Sequence, residues 1–119
     1  MSLIGKEYMA RLDTGADANF IAKYVVDDLP VQYRNKLKLN KGHEKVADNS
    51  LVDTIGKIAL QIRLRNQLYS VTFTVMEQTS EPMYLGTPFC RQNKIVPDYG
   101  RRKINVGEHC SIHSNKYHE

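Results

Sequence analysis

The sequence predicts one all-β domain with a single short helix near its C-terminal end, and three observations carry that prediction. Ile58, Leu60, Ile62 and Leu64 alternate with Ala59, Gln61 and Arg63, the period of a strand with one apolar face and one wet face. After a turn at Asn66-Gln67, Val71, Phe73 and Val75 alternate with Ser70, Thr72 and Thr74, the return arm of a hairpin. The chain has 119 residues, 41% hydrophobic and 25% charged, which is enough to bury one core and not two.

The other elements follow in order. Ile4 to Leu12 reads as the first strand, with Gly5-Lys6 as a turn before its main run. Asn19 to Val26 supports two readings. Phe20, Ile21, Tyr24 and Val25 recur at helical spacing, while the β-branched and aromatic content suits a strand. Pro30 ends the segment either way, because it disfavours helix at the residue before it. Residues 31–45, with Leu37 and Leu39 among Lys and Asn, read as a connection with one short strand at most. Val46 to Gly56 forms two β-prone arms around Asp48-Asn49-Ser50, residue types that tolerate the backbone of a tight turn. Glu77 to Pro82 is a loop and Tyr84-Leu85 a short buried strand. Pro88 to Asn93 is the helix, with Pro88 in its first turn. Ile95-Val96 and Lys103 to Val106 complete the sheet around a turn at Asp98-Tyr99-Gly100. From Gly107 the periodicity is lost, so residues 1–106 form the domain and 107–119 a flexible C-terminal tail.

The chemistry concentrates at Leu12-Asp13-Thr14-Gly15-Ala16. A reactive carboxylate needs a fixed backbone, a neighbour that aims it and room for another group to approach. Asp13 at the end of a strand supplies the acid, Thr14 a hydroxyl able to bond a facing loop, and Gly15 the missing side chain. Asp-Thr-Gly is also ordinary turn chemistry, so the triplet by itself decides nothing.

Its surroundings are more specific. Ala10-Arg11-Leu12-Asp13-Thr14-Gly15-Ala16-Asp17, followed by Phe20-Ile21, resembles the active-site segment of retropepsins, the aspartic proteases of retroviruses and LTR retrotransposons. Tyr84-Leu85-Gly86-Thr87-Pro88-Phe89-Cys90 resembles the second signature of that family. Thr87 stands where retroviral members usually carry Arg, which is closer to the gypsy-type retrotransposon form. The resemblance spans roughly residues 5–106.

The resemblance implies a closed barrel or sandwich that works as a homodimer. It makes Asp13 the catalytic residue, supported by Thr14, which bonds across the dimer axis, and Gly15, which lets water and substrate backbone approach. Ala16, Asp17, Leu85 and the flap residues Val46, Ala47, Asp48, Asn49, Ser50 and Leu51 would meet an extended polypeptide, with gag-pol type polyproteins as the implied substrate. The implied location is the cytoplasm, including the interior of virus-like particles. Retroviral flaps are usually rich in Gly; here Gly42 and Gly56 lie at or outside the flap's ends.

A counting argument from the residues points the same way. Peptide hydrolysis by carboxylates needs one as base toward water and another as acid toward the carbonyl oxygen and leaving amine. The chain has one competent Asp-Thr-Gly. Asp53-Thr54-Ile55-Gly56 is not a second, because Ile55 displaces the glycine. Two copies related by a twofold axis complete the pair. Carboxylates about 3 Å apart cannot both ionise, so such a pair shares one proton. This chemistry requires no metal and no organic cofactor.

Other classes find less support. A domesticated, catalytically inactive domain that dimerises and binds peptides is the alternative reading. The net charge of +4 comes from scattered Lys and Arg, with clusters at Lys36/Lys38/Lys41 and Arg101-Arg102-Lys103. With no interleaved aromatics, a solvated surface is favoured over direct nucleic-acid binding. His109, Cys110, His113 and His118 are ligand types, but their spacing matches no standard zinc motif. No P-loop, His-Glu-x-x-His or dinucleotide glycine pattern occurs. No apolar run approaches the roughly 18 residues of a membrane span, and no signal-peptide pattern opens the chain. Two cysteines, Cys90 and Cys110, suggest a reducing compartment rather than a disulfide framework.

Overall fold

A computed structural model of the chain describes residues 3–13, 15–45, 51–64, 67–93 and 107–113. Its strands are β1 (Leu3–Leu12), β2 (Phe20–Ala22), β3 (Lys38–Lys45), β4 (Leu51–Leu64), β5 (Gln67–Met76), β6 (Met83–Leu85) and β7 (Gly107–His113). Three short helices join them: α1 (Lys23–Asp27), α2 (Val31–Arg34) and α3 (Thr87–Gln92). The strands form one sheet in the order β3-β4-β5-β2-β6-β1-β7.

The β4–β5 hairpin forms because its alternation gives it a face to bury. Ile58, Leu60 and Ile62 of β4, and Val71, Phe73 and Val75 of β5, are all buried, with Ile58 opposite Phe73 and Leu60 opposite Val71. Onto that face pack Ile21, Val25, Val26, Leu29, Met83, Leu85 and Phe89. Phe89 meets Tyr69 edge to face, ring centres 5.1 Å apart, which fastens α3 to β5.

The ambiguous segment 19–26 takes both of its readings in turn. Phe20, Ile21 and Ala22 are buried on both faces, as suits a strand between parallel β5 and antiparallel β6. The chain then turns helical at Lys23 and buries Val25 and Val26, leaving Tyr24 half exposed. Its helix ends at Asp27, and Pro30 caps α2.

Several expectations are corrected. The single C-terminal helix is found at Thr87–Gln92, but α1 and α2 are helical as well. Residues 31–45, expected to hold at most one short strand, contain the helix α2 and an eight-residue strand, β3. Residues 107–113, expected to begin a flexible tail, form β7 between β1 and the end of β4, with Tyr8 opposite Cys110 and Ile62 opposite Ile112. The closed barrel is replaced by a sheet that curls without forming a regular barrel. β4 touches β7 only from Gln61 to Leu64, and β2 and β6 are three residues each. Strands that short cannot carry the staggered pairing along their length that closure requires. The expected strands at 95–96 and 103–106 lie outside the described residues, as does the turn at 98–100.

Candidate active site

Asp13 follows the last residue of β1, and the parallel partner of that strand is β6, with Leu12 opposite Leu85. Parallel pairing brings the C-terminal ends of both strands to the same edge of the sheet, so the segments around Asp13 and Gly86 leave side by side. The Asp13 N–H donates to the Leu85 carbonyl at 2.9 Å, extending the ladder one residue past the strand.

The turn then holds its own acid. The Gly15 N–H donates to Asp13 Oδ1 at 2.9 Å, and the Ala16 N–H to the Asp13 carbonyl at 3.1 Å. A carboxylate accepting from the backbone two residues on is the usual way for Asp to rigidify a turn. Asp13 is half-buried, and Gly15 beside it is exposed.

Two hydrogen bonds and a close backbone approach fasten this turn to the second signature. The Thr87 N–H donates to the Ala16 carbonyl at 3.0 Å. The Gly86 N–H donates to Asn19 Oδ1 at 2.9 Å in a buried site. At Gly86 a Cβ would stand 2.4 Å from the Ala18 carbonyl oxygen and 2.6 Å from that of Ala16, so a side chain there would collide with the turn's backbone. Glycine is required by close approach and not by an unusual φ, which is −96°.

Asn19 is the residue that sequence reasoning missed. It is 5% exposed. Its side chain accepts from Gly86 and donates to the Thr72 carbonyl at 3.3 Å, while its own carbonyl accepts from the Thr74 N–H at 2.7 Å. The one available signal was a polar residue set directly against the apolar run Phe20-Ile21-Ala22.

Of the remaining predicted site residues, Asp17 is exposed and Leu51 is exposed at the start of β4. Ala16 is buried in a small cluster with Phe20 and Met76, against which Ala18, Val52 and Tyr84 pack, so the turn is joined to β4 as well as β6. Leu85 is 2% exposed and belongs to the main core; it reaches the site through its carbonyl, not by lining a cleft with its side chain. Thr14, Val46, Ala47, Asp48, Asn49 and Ser50 lie outside the described residues.

Charged groups border the turn. Arg11, two residues before Asp13, pairs with Glu81 at 3.3 Å, and Ser80 and Tyr84 share a hydroxyl contact of 3.3 Å. Burial, and then the Glu81 carboxylate, push the Tyr24 hydroxyl above its ordinary range. On the β3–β4 hairpin His43 Nδ1 lies 2.9 Å from Asp53 Oδ1, directly across the strands. Among the described residues no group of three or more His, Cys, Asp or Glu is placed to hold a metal ion, and no helix is long and apolar enough to cross a membrane. His118 lies outside those residues, and of His109, Cys110 and His113 the backbone alone is described. No protein-family model matches the chain, and no curated protein matches it.

Proposed function

We propose that the chain is an aspartic endopeptidase of the retropepsin type, active as a homodimer in which each copy contributes Asp13. The observation that carries this reading is the docking of the Asp13 turn on the Gly86 segment. The two stretches that resemble the family's signatures are far apart in sequence, and they meet through Asp13–Leu85, Ala16–Thr87 and Asn19–Gly86 hydrogen bonds.

The mechanism follows from one fixed carboxylate per chain. With two copies face to face, the ionised Asp13 takes a proton from water as the water oxygen attacks the scissile carbonyl carbon. The protonated Asp13 of the other copy gives its proton to the carbonyl oxygen. As the C–N bond breaks, the Asp13 that took the water proton passes it to the leaving nitrogen, and the other Asp13 takes back the proton of the tetrahedral hydroxyl. The Gly15 N–H on Oδ1 fixes the plane of the carboxylate, so neither acid has to reorganise as charge develops. Residues 46–56 of the β3–β4 hairpin supply backbone groups to a polypeptide bound as an added strand. The substrate class is extended polypeptide, of the polyprotein kind.

Incubation with an unstructured polypeptide, with and without a pepstatin-type inhibitor, tests this. Inhibitor-sensitive cleavage that vanishes in Asp13→Asn is expected. A parent chain that dimerises and binds the polypeptide but leaves it intact would instead favour the inactive peptide-binding reading.

A further inference from the structure

Residues 34–41 contain Arg34, Lys36, Lys38 and Lys41 and no acid. Local contacts hold the start of this run: Arg34 Nε donates to the Leu29 carbonyl at 2.9 Å, and Lys36 Nζ sits 5.3 Å from the centre of the Tyr33 ring. Pairing of β3 with β4 then adds a cation that is remote in sequence, by placing Lys57 directly opposite Lys38. Like charges directly opposed across a sheet destabilise it. Neither lysine has a carboxylate partner among the described residues, whereas Lys23 pairs with Asp27 and Arg11 with Glu81.

Lys57 and Lys41 line one crevice of about 100 Å³, together with Asn40, Thr54 and Thr74. It opens where the β3–β4 register shifts, between Leu39 and Gly42. A Cβ at Gly56 would meet the Lys38 carbonyl oxygen, so glycine is what lets the two backbones close up beside the crevice. The residues that line it carry ammonium, hydroxyl and amide groups, which is the donor chemistry of an anion site. His43 also lines the opening, with its Nδ1 on Asp53; Asp53 and Glu77 line the adjoining one.

We propose that this β3–β4 face binds the phosphodiester backbone of nucleic acid, with Lys38, Lys41 and Lys57 on successive phosphates and one phosphate seated in the crevice. The recognition is independent of base sequence. Tyr33 is 5% exposed and cannot stack on a base, and the four-residue α2 is too short to enter a groove. An acidic polypeptide fits less well, since a protein partner needs an apolar anchor. Leu39, the large exposed hydrophobic of β3, precedes the register shift and alternates to the face opposite Lys38, whereas Lys41 lies within the shifted stretch and lines the same crevice as Lys57. Lys36, Lys38 and Lys41 form a cluster in the sequence, but only strand pairing brings Lys57 to it. The proposal uses none of the residues around Asp13, and it shares with the proposed protease site only Thr54 and Gly56 of the crevice lining, within the 46–56 segment.

The test is fluorescence anisotropy of a labelled oligouridine with the full chain across a KCl series. Three phosphate contacts predict a log K against log salt slope of about −2. The pair Lys38→Gln with Lys57→Gln should weaken binding about tenfold at low salt and flatten the slope by about 1.4. A control pair of equal charge loss, Lys23→Gln with Arg91→Gln, should change binding less than about twofold. Circular dichroism checks that both pairs fold; if the first does not, Lys57→Gln alone, which relieves the opposed charges, should still weaken binding. Equal loss in patch and control pairs, absence of binding at low salt, or displacement of oligouridine by polyglutamate at equal charge would each overturn the proposal.

Discussion

Asn19 bridges the Asp13 turn, the Gly86 segment and β5 with one side chain and one carbonyl. Asn19→Ala leaves the Gly86 N–H buried without an acceptor, and a buried group so orphaned costs about 1–3 kcal/mol. Urea denaturation should show that loss, with cleavage reduced as the turn loosens from β6. Gly86→Ala should be worse, because its Cβ meets backbone that cannot swing aside. Cys90 gives a third check. Burial pushes its thiol above the ordinary range, so at pH 8 it holds less thiolate than a free cysteine. In a Cys110→Ser background, Ellman's reagent should react slowly with the native chain and quickly in denaturant. At this scale Gly86 enters the sequence reading only through the resemblance, while the turn at Asp13 was legible, because turn chemistry is written in residue type and short spacing. Asn19 was not, since its partners Thr72 and Gly86 adjoin it only after the sheet has formed.

The same division separates the elements. β4 and β5 show in the sequence because each carries an alternating buried face of its own. β3 carries none: Lys38 to His43 are all exposed, and its strand conformation comes from pairing with β4. β7 is held between β1 and the end of β4 by pairing whose register no local pattern announces. Two outcomes follow. Removing residues 107–119 would strip β1 of a partner strand, and the shortened chain should lose cooperative unfolding by circular dichroism, whereas loss of a dispensable tail would leave the transition unchanged. Lys57→Gln should stabilise the chain by about 0.2–1 kcal/mol in the same denaturation experiment, because it ends the opposition with Lys38.

For the whole molecule the question is how many chains make one working site. Each copy presents one half-buried Asp13 at the edge of its sheet, held by Gly15 and backed by Gly86. In the proposed dimer, a second carboxylate from another copy would supply the acid that one chain lacks. Mixing the parent with excess Asp13→Asn should therefore lower activity in proportion to the mixed dimers formed, since each mixed pair has a single ionisable acid. The most direct measurement is sedimentation velocity through a solution containing a fluorogenic polypeptide, so that cleavage is read from the moving boundary itself. Cleavage should travel with a species of two chains; cleavage travelling with single chains would contradict the shared site.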